Sequence, residues 1–531
     1  MTSLRPASHT PMDTLLSELA FRRREAEKMG GEAAVARQHA AGRLTVRERI
    51  RALGDPDSFS ELGALTGTGA YDADQTLRGV TPAPYVCGTV RIAGRTTVVG
   101  GEDFTVRGGT TFSAPRRKGG QGGLTEDFAY HYRLPLVNLV DGAGGGVGSI
   151  EKRGHTVFPG VHGFERSVAL LSRSPVASAV LGTAAGGPAG RAILSHFSVM
   201  VRGGSQIFAA GPPVVKRSLG HAVDKEDLGG AAVAVDEAGT IHNAADSEAE
   251  ALHQIRRFLS FMPQNVWELP PVEECDDPIG RCEESLRGIL PKSRNQPFDV
   301  RRVISLIVDQ GSEFEIQPTY GKSVVTMLAR FGGRPTGVIA NNPMVYAGAM
   351  DDRSARKQVR FMQLCDTFHI PIVFLVDVPG FMVGIRAEKR ATLLEGMRVV
   401  HAAAQLTVPT ATVVLRKCYG MAGMATCNKN GVDYKLAWPT GEWGSLPIEG
   451  GVAAAYRREI AASPDPIAKE AEIEARMRPY TSPFRTAEAF AVEDIIDPAE
   501  TRPVLCGLIE LAAARIHHDL GPRRGPGGFI P

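Results

Sequence analysis

Two segments of the chain set a β-branched run against a glycine-rich turn: VASAVLGTAAGGPAG at 176–190 and TATVVLRKCYGMAG at 410–423. Small residues that end a strand and open a helix leave backbone N–H groups free to converge on one point. Two such groups make an oxyanion hole, and each well-placed donor contributes about 3 kcal/mol to lowering a barrier. Glycines in a lone turn of this kind serve only close strand–helix packing. Their recurrence at matching places favours a functional reading, with one hole for each of two carbonyl groups. No duplicated acid–base side chain accompanies the turns. The chemistry that fits is carbanion or enolate formation beside a thioester, with the base supplied by a substrate or cofactor.

The other common signatures are missing. The sequence contains no G-x-S-x-G, HExxH or P-loop motif. GAGGGVG at 142–148 fails the dinucleotide pattern, because Val147 stands where a glycine is needed. Seven cysteines, at 87, 275, 282, 365, 418, 427 and 506, form neither C-x-x-C nor a zinc-spaced cluster with histidine, so no metal is expected. They read as reduced structural thiols.

The elements that must position the two turns repeat. PLVNLVDGAGGGVG at 135–148 and PIVFLVDVPGFMVG at 371–384 coincide at eight of fourteen positions, 236 residues apart. Three further pairs follow in the same order: 92–104 with 331–343, 174–190 with 407–423 and, more weakly, 200–208 with 437–445. Collinear matches spaced about 236 residues apart imply two copies of one domain. Six prolines within 263–298 mark the linker, giving domains 1–275 and 276–531. Buried strands are predicted at LPLVNLVD and IPIVFLVD. Helical spacing is predicted for 247–262, 354–368 and 386–406, and a Thr45/Glu48 capping box opens a helix over RERIRAL. Alternation of strand and helix makes each copy an α/β unit with a mainly parallel sheet. The Arg22-Arg23-Arg24 run reads as a solvated helix face.

Composition bounds the rest. Over 531 residues the net charge is +2 and charged residues make up 22%, which excludes a disordered chain and gives no reason to expect nucleic acid. The first residues lack the apolar core of a secretory signal, and no apolar run reaches the ~20 residues of a membrane span. A soluble, cytoplasmic protein is expected.

Further motifs place the chain. GRLTVRERI (42–50), EDFTVRGGT (102–110), HIPIVFLVDVPGFMVG (369–384), LAWPT (436–440), YRREI (456–460) and EDIIDPAETRPVL (493–505) occur in order. With them the sequence resembles, over nearly its whole length, the carboxyltransferase (β) subunits of biotin-dependent acyl-CoA carboxylases, of the propionyl-CoA carboxylase type. The resemblance implies two tandem crotonase-like domains, each a spiral of ββα units. It also implies a homohexameric ring, a trimer of dimers with active sites between halves of different subunits. The implied reaction moves a carboxyl group from carboxybiotin to the α-carbon of an acyl-CoA or a carrier-bound acyl thioester.

In that family an N-terminal glycine pair, here Gly186 and Gly187, stabilises the acyl-CoA enolate. A C-terminal pair, here Met421 and Ala422 after Gly420, binds the biotin ureido oxygen. Arg116, Arg117 and Lys118 stand where cations meet CoA phosphates. Biotin takes the α-proton, in keeping with the absence of a dedicated base. No Met-Lys-Met biotinylation site or ATP-binding domain is present, so a biotin carboxylase/biotin carrier subunit is the implied partner.

The chain departs from the family pattern at four places. Met421 replaces a second glycine, where a positive φ is costly. Met424 stands where many short-chain carboxylases place an Asp beside the acyl group. Leu394-Glu395 replaces an Arg-His pair, and Pro188 stands where Ala is common. The CoA-side hole reads as intact and the biotin and acyl pockets as altered, which points away from propionyl-CoA towards an unusual or larger acyl group. A biotin-independent thioester decarboxylase, or a carboxyl or acyl transferase with a remodelled C-terminal site, is the competing expectation. A non-catalytic ring subunit is a third.

Overall fold

The computed structural model describes residues 11–110, 116–144, 150–151, 154–156, 158, 160–426, 434–523 and 529–531. It divides into two compact units, Met1–Asn265 with Pro531, and Val266–Ile530. The division falls inside the proline-rich stretch 263–298 and ahead of residue 275.

In the first unit the strands are β1 Ser60–Glu61, β2 Gly67–Tyr71, β3 Leu77–Pro82, β4 Tyr85–Ile92 and β5 Arg95–Glu102. They continue with β6 Leu136–Gly142, β7 Val176–Ala185, β8 Phe197–Val201, β9 Gln206–Phe208 and β10 Asn243–Ala245. The second unit has β11 Phe314–Glu315, β12 Val324–Phe331, β13 Arg334–Asn341, β14 Ile372–Val378, β15 Thr410–Tyr419, β16 Tyr434–Ala437, β17 Glu442–Gly444 and β18 Asp494–Ile495. The first main sheet runs β1-β4-β5-β6-β7-β8-β10, with β9 on β7. The second runs β11-β12-β13-β14-β15-β16-β18, with β17 on β15. Both open with antiparallel pairs and turn parallel from the third pairing onward. The order is the same strand for strand, so the repeated motifs are repeated architecture. Strands β2 and β3 form a separate two-stranded ribbon.

The apolar runs become the sheet centres: every residue of β6 and β14 is buried. Parallel strands covered on both faces read as continuous apolar sequence for that reason. The helix Glu248–Phe261 covers the first sheet with Ala251, Leu252, Ile255, Phe258 and Leu259. In the second unit Val300, Val303, Ile304 and Ile307 of the helix Val300–Ile307 join Leu505 and Ile509 of the C-terminal helix in one cluster around Trp438. The Trp438 indole donates to Thr501 Oγ1 at 3.0 Å, which satisfies its one polar atom.

The capping box at Thr45 and Glu48 opens the helix Val46–Leu53. Arg22 to Arg24 lie on the helix Met12–Glu27, where Arg22 pairs with Glu18. The segment 386–406 is two helices rather than one. Ile385–Lys389 ends before Ala391, whose φ of 57° breaks the run ahead of Thr392–Gln405. Alanine is the best helix former, so its composition gives no warning of this break.

Candidate functional site

The strand–turn–helix units are built alike. β7 and β15 each run ten residues, to Ala185 and Tyr419. Gly186 follows with φ 62° and Gly420 with φ 60°, a conformation that only glycine holds without strain. The helices Gly187–Ile193 and Gly420–Met424 begin there. This register moves the sequence pairing of 174–190 with 407–423 along by one residue. Gly186 corresponds to Gly420, Gly187 to Met421, and Pro188 to Ala422.

Two corrections follow. The positive φ belongs to Gly420 and not to Met421, so methionine costs no backbone strain at its position. The first turn is also not a copy of the second: Pro188 has no N–H to donate, whereas Ala422 has one.

Beneath each turn lies a buried aspartate on the neighbouring strand. Asp141 of β6 meets the Arg49 guanidinium at 2.9 Å, and Arg49 also grips Glu248 at 2.6 Å and the Leu181 carbonyl at 3.0 Å. Asp377 of β14 is held by Arg416 of β15 at 2.7 Å. The carboxylate of Glu102 and the amide of Asn341 sit at matching ends of β5 and β13. Each accepts the N–H of the following strand's aspartate, at 3.3 and 3.2 Å. Glu102 is further paired with Arg191, from the helix after the turn. Burial pushes the Glu102 carboxyl up and Arg191 pulls it down. These networks fix the turns and were missed by the sequence reading, because their partners lie far apart in the chain.

Arg116–Lys118 form a single 3₁₀ turn. Arg117 is exposed, but Lys118 is buried and its Nζ donates to the Leu62 carbonyl at 2.5 Å. Lys118 therefore braces the fold and is not turned towards a ligand, which corrects its expected place among the CoA-facing cations. The glycine-rich run at 119–123 folds back onto the first turn and sets the amide of Gln121 where a Cβ on Gly187 would stand. The sequence signal for Gln121 was a lone polar side chain between two glycine pairs.

In the second unit Gly420, Met421 and Met424 line one cavity of about 780 Å³, together with Phe381, Val383 and Trp443. Met421 is 42% and Met424 63% exposed, while Ala422 is fully buried. Lys435 and Cys418 are the titratable groups on the described wall. Leu394 is exposed, whereas Glu395 turns inward to Arg398 at 2.8 Å and Arg356 at 3.4 Å. Glu395 thus neutralises neighbouring arginines. No helix among the described residues is long and apolar enough to cross a membrane.

Paired sheets of this order, each with a glycine turn opening a helix after its fourth long strand, make two tandem crotonase-like domains. The chain belongs to the carboxyl transferase domain family, whose pattern matches residues 37–525, and it is an enzyme of the carboxyltransferase class. It is 35% identical over 498 residues to a propionyl-CoA carboxylase carboxyltransferase subunit of Haloferax mediterranei, covering 92% of this chain and 94% of the other. It is 33% identical to a methylmalonyl-CoA decarboxylase subunit alpha of Veillonella parvula, over 93% of this chain and 95% of that one. The transcarboxylase 12S structure, described as a hexamer assembly with methylmalonyl-coenzyme A bound, superposes with a TM-score of 0.86 at 31% identity. That alignment covers 99% of this chain and 100% of the other.

Proposed function

We propose that this enzyme transfers a carboxyl group from biotin, borne by a partner carrier subunit, to the α-carbon of an acyl-CoA thioester. The observation that carries the reading is the duplicated turn: Gly186 and Gly420 share a positive φ, 62° and 60°, at the ends of equivalent strands. In the first unit the Gly186–Gly187 turn receives the thioester oxygen, and Arg116 and Arg117 serve the CoA phosphates. In the second unit the N–H groups of Met421 and Ala422 receive the ureido oxygen of biotin.

The residues present fit that group. The 780 Å³ cavity beside Met421 is lined mostly by apolar side chains and exceeds the size of a fused bicyclic ring. Biotin, when bound, supplies the carboxyl group and the acceptor for the α-proton. The chain's own part is to orient both carbonyl groups, hold backbone donors against the charge that develops on the thioester oxygen, and exclude water. Donors already aimed at that charge need no reorganisation as it forms. Met421 and Met424, exposed on the cavity wall, favour an acyl group larger or less polar than propionyl.

We place the enzyme in the cytoplasm as a homohexamer. Support comes from the hexamer described for transcarboxylase 12S, which the chain matches end to end.

The test mixes purified chain with carboxylated carrier and a panel of acyl-CoAs, following label from bicarbonate into acid-stable product. Label in one acyl-CoA is the expected result. The Veillonella relative's name favours a second reading, loss of a carboxyl group from an acyl thioester at the same turns. Carbon dioxide release that persists after avidin treatment, with no label fixed, would establish that reading in its biotin-independent form.

A further inference from the structure

We infer that Gln121 is a catalytic residue of the first site, its side-chain amide supplying the hydrogen bond that Pro188 removes. The inference rests on the reading of the Gly186–Gly187 turn as the thioester oxyanion site.

The two units set the question. Ala422 offers a backbone N–H in the second unit, and its counterpart Pro188 offers none. An oxyanion site of one N–H in place of two forfeits a large part of its effect. Gln121 stands where the loss occurs. Its Nε2 is the nearest heavy atom to the position a Cβ on Gly187 would take, so the amide lies directly on that residue. The side chain is half-buried and makes no hydrogen bond to any described residue.

Its backbone is pinned on both sides. Gly122 takes φ 57° and donates its N–H to Glu126 Oε2 at 2.7 Å, and Glu126 is held in turn by Ser167 at 2.6 Å. The guanidinium of Arg191 packs on Gly120, and Arg191 is anchored by Glu102 in the interior. A side chain on Gly120 would run into the Arg191 guanidinium, and one on Gly122 would be strained by its positive φ. A primary amide suits the role, because it has two N–H donors, stays neutral and surrenders no proton. As the α-proton leaves and negative charge passes through the C–C bond to the thioester oxygen, the amide N–H donates to that oxygen. No bond to Gln121 forms or breaks.

The experiment is a double-variant cycle on the full chain with its carboxylated carrier. Gln121→Ala is expected to lower kcat by about 10²–10³-fold, the cost of one side-chain oxyanion donor, with KM little changed. Gln121→Glu, which fills the same space without an N–H, is expected to match it. Pro188→Ala returns the backbone donor, and in that background Gln121→Ala is expected to cost less than about tenfold.

Equal losses in both backgrounds, or full activity in Gln121→Glu, would overturn the inference. A second readout does not need turnover: the carbonyl stretch of bound propionyl-CoA labelled at its carbonyl carbon. It should move to lower frequency on binding and recover in Gln121→Glu. An unshifted band in the unsubstituted chain would also overturn the inference. A chain that shifts the band yet carboxylates no acyl-CoA would sink the carboxyltransferase reading and leave Gln121 standing.

Discussion

The two halves solve the same electrostatic problem with arginines from different elements. Each buries an aspartate on the strand beside its glycine turn, Asp141 or Asp377, with essentially no exposure. In the first half the neutralising guanidinium reaches in from the helix Val46–Leu53, because the strand position facing Asp141 is Gly182. A Cβ there would run into the carboxylate. In the second half Arg416 occupies that strand position and pairs from within the sheet, and the helix position corresponding to Arg49 is the apolar Val303. The exterior supports did not diverge in this way. Arg47–Glu61 at 2.8 Å and Arg301–Glu315 at 2.7 Å are equivalent pairs. Asp55 and Asp309 each cap the β4–β5 or β12–β13 turn through two backbone N–H groups. A buried charge requires a partner but not a particular element to carry it. Duplication therefore preserved the geometry of the turns while the charges behind them were reassigned.

The comparison can be broken most directly at the arginines. Arg49 serves two carboxylates and one carbonyl, whereas Arg416 serves one carboxylate and the Gln296 carbonyl; Asp141 keeps the Gln38 amide and Asp377 the Lys417 N–H besides. Arg49→Met is expected to destabilise the first unit by about 3–5 kcal/mol, the cost of stranding a buried charge. Arg416→Met should cost less. Denaturant unfolding of both variants checks the order, and a reversed order would mean that the two aspartates are not equivalent.

Next in size is Gly187→Val. Any side chain there displaces the Gln121 amide and narrows the turn. Carboxyl transfer should fall by at least about 10²-fold with the fold intact. Circular dichroism together with label transfer measures this, and normal activity would remove the first turn from the site.

Acid should separate the halves as well. Burial holds the His196 imidazole down to about 4, and its Nδ1 accepts the Val176 N–H at 3.0 Å. The neutral ring is the folded form. Its stabilisation is complete above the unfolded value of 6.5 and is lost as pH falls towards 4. That amounts to about 3 kcal/mol. In the second half His369 is also pushed down by burial, but the Val266 carbonyl and Asp366 oppose the shift. Hydrogen exchange near pH 5 should therefore rise in β7 and β8 before β14 and β15, and His196→Gln should flatten the difference.

The architecture was legible because β6 and β14 are buried on both faces, and burial forces a continuous apolar run that survives duplication. The turns were legible because a positive φ strongly favours glycine, although Ala391 shows that it does not demand it. Partnerships such as Arg49 with Glu248 were not, since nothing local in a sequence marks which arginine reaches which carboxylate. The register of the second turn was off by one for a related reason. Identity of residue types aligned Gly187 with Gly420, whereas strand length and φ align Gly186 with it. Lys118 read as a ligand cation through the family resemblance, and nothing local in the sequence shows that its ammonium ends on the Leu62 carbonyl. The cavity beside Met421 arises from packing of segments as distant as Phe381 and Trp443, which no local pattern encodes.

The smallest expected effect tests that register. Were Met421 the left-handed residue, replacing it by glycine would relieve strain and stabilise the second unit. The structure puts the left-handed conformation at Gly420 and leaves Met421 exposed in the first turn of a short helix. Met421→Gly then gains no relief and adds backbone freedom to the unfolded chain, so it should destabilise by about 0.5–1 kcal/mol. Gly420→Ala should cost more, about 1–2 kcal/mol, because alanine must enter the left-handed region. The sign of the Met421→Gly change is the decisive quantity. A gain in melting temperature would shift the register back by one residue, and with it the equivalence of Pro188 and Ala422 that separates the two turns.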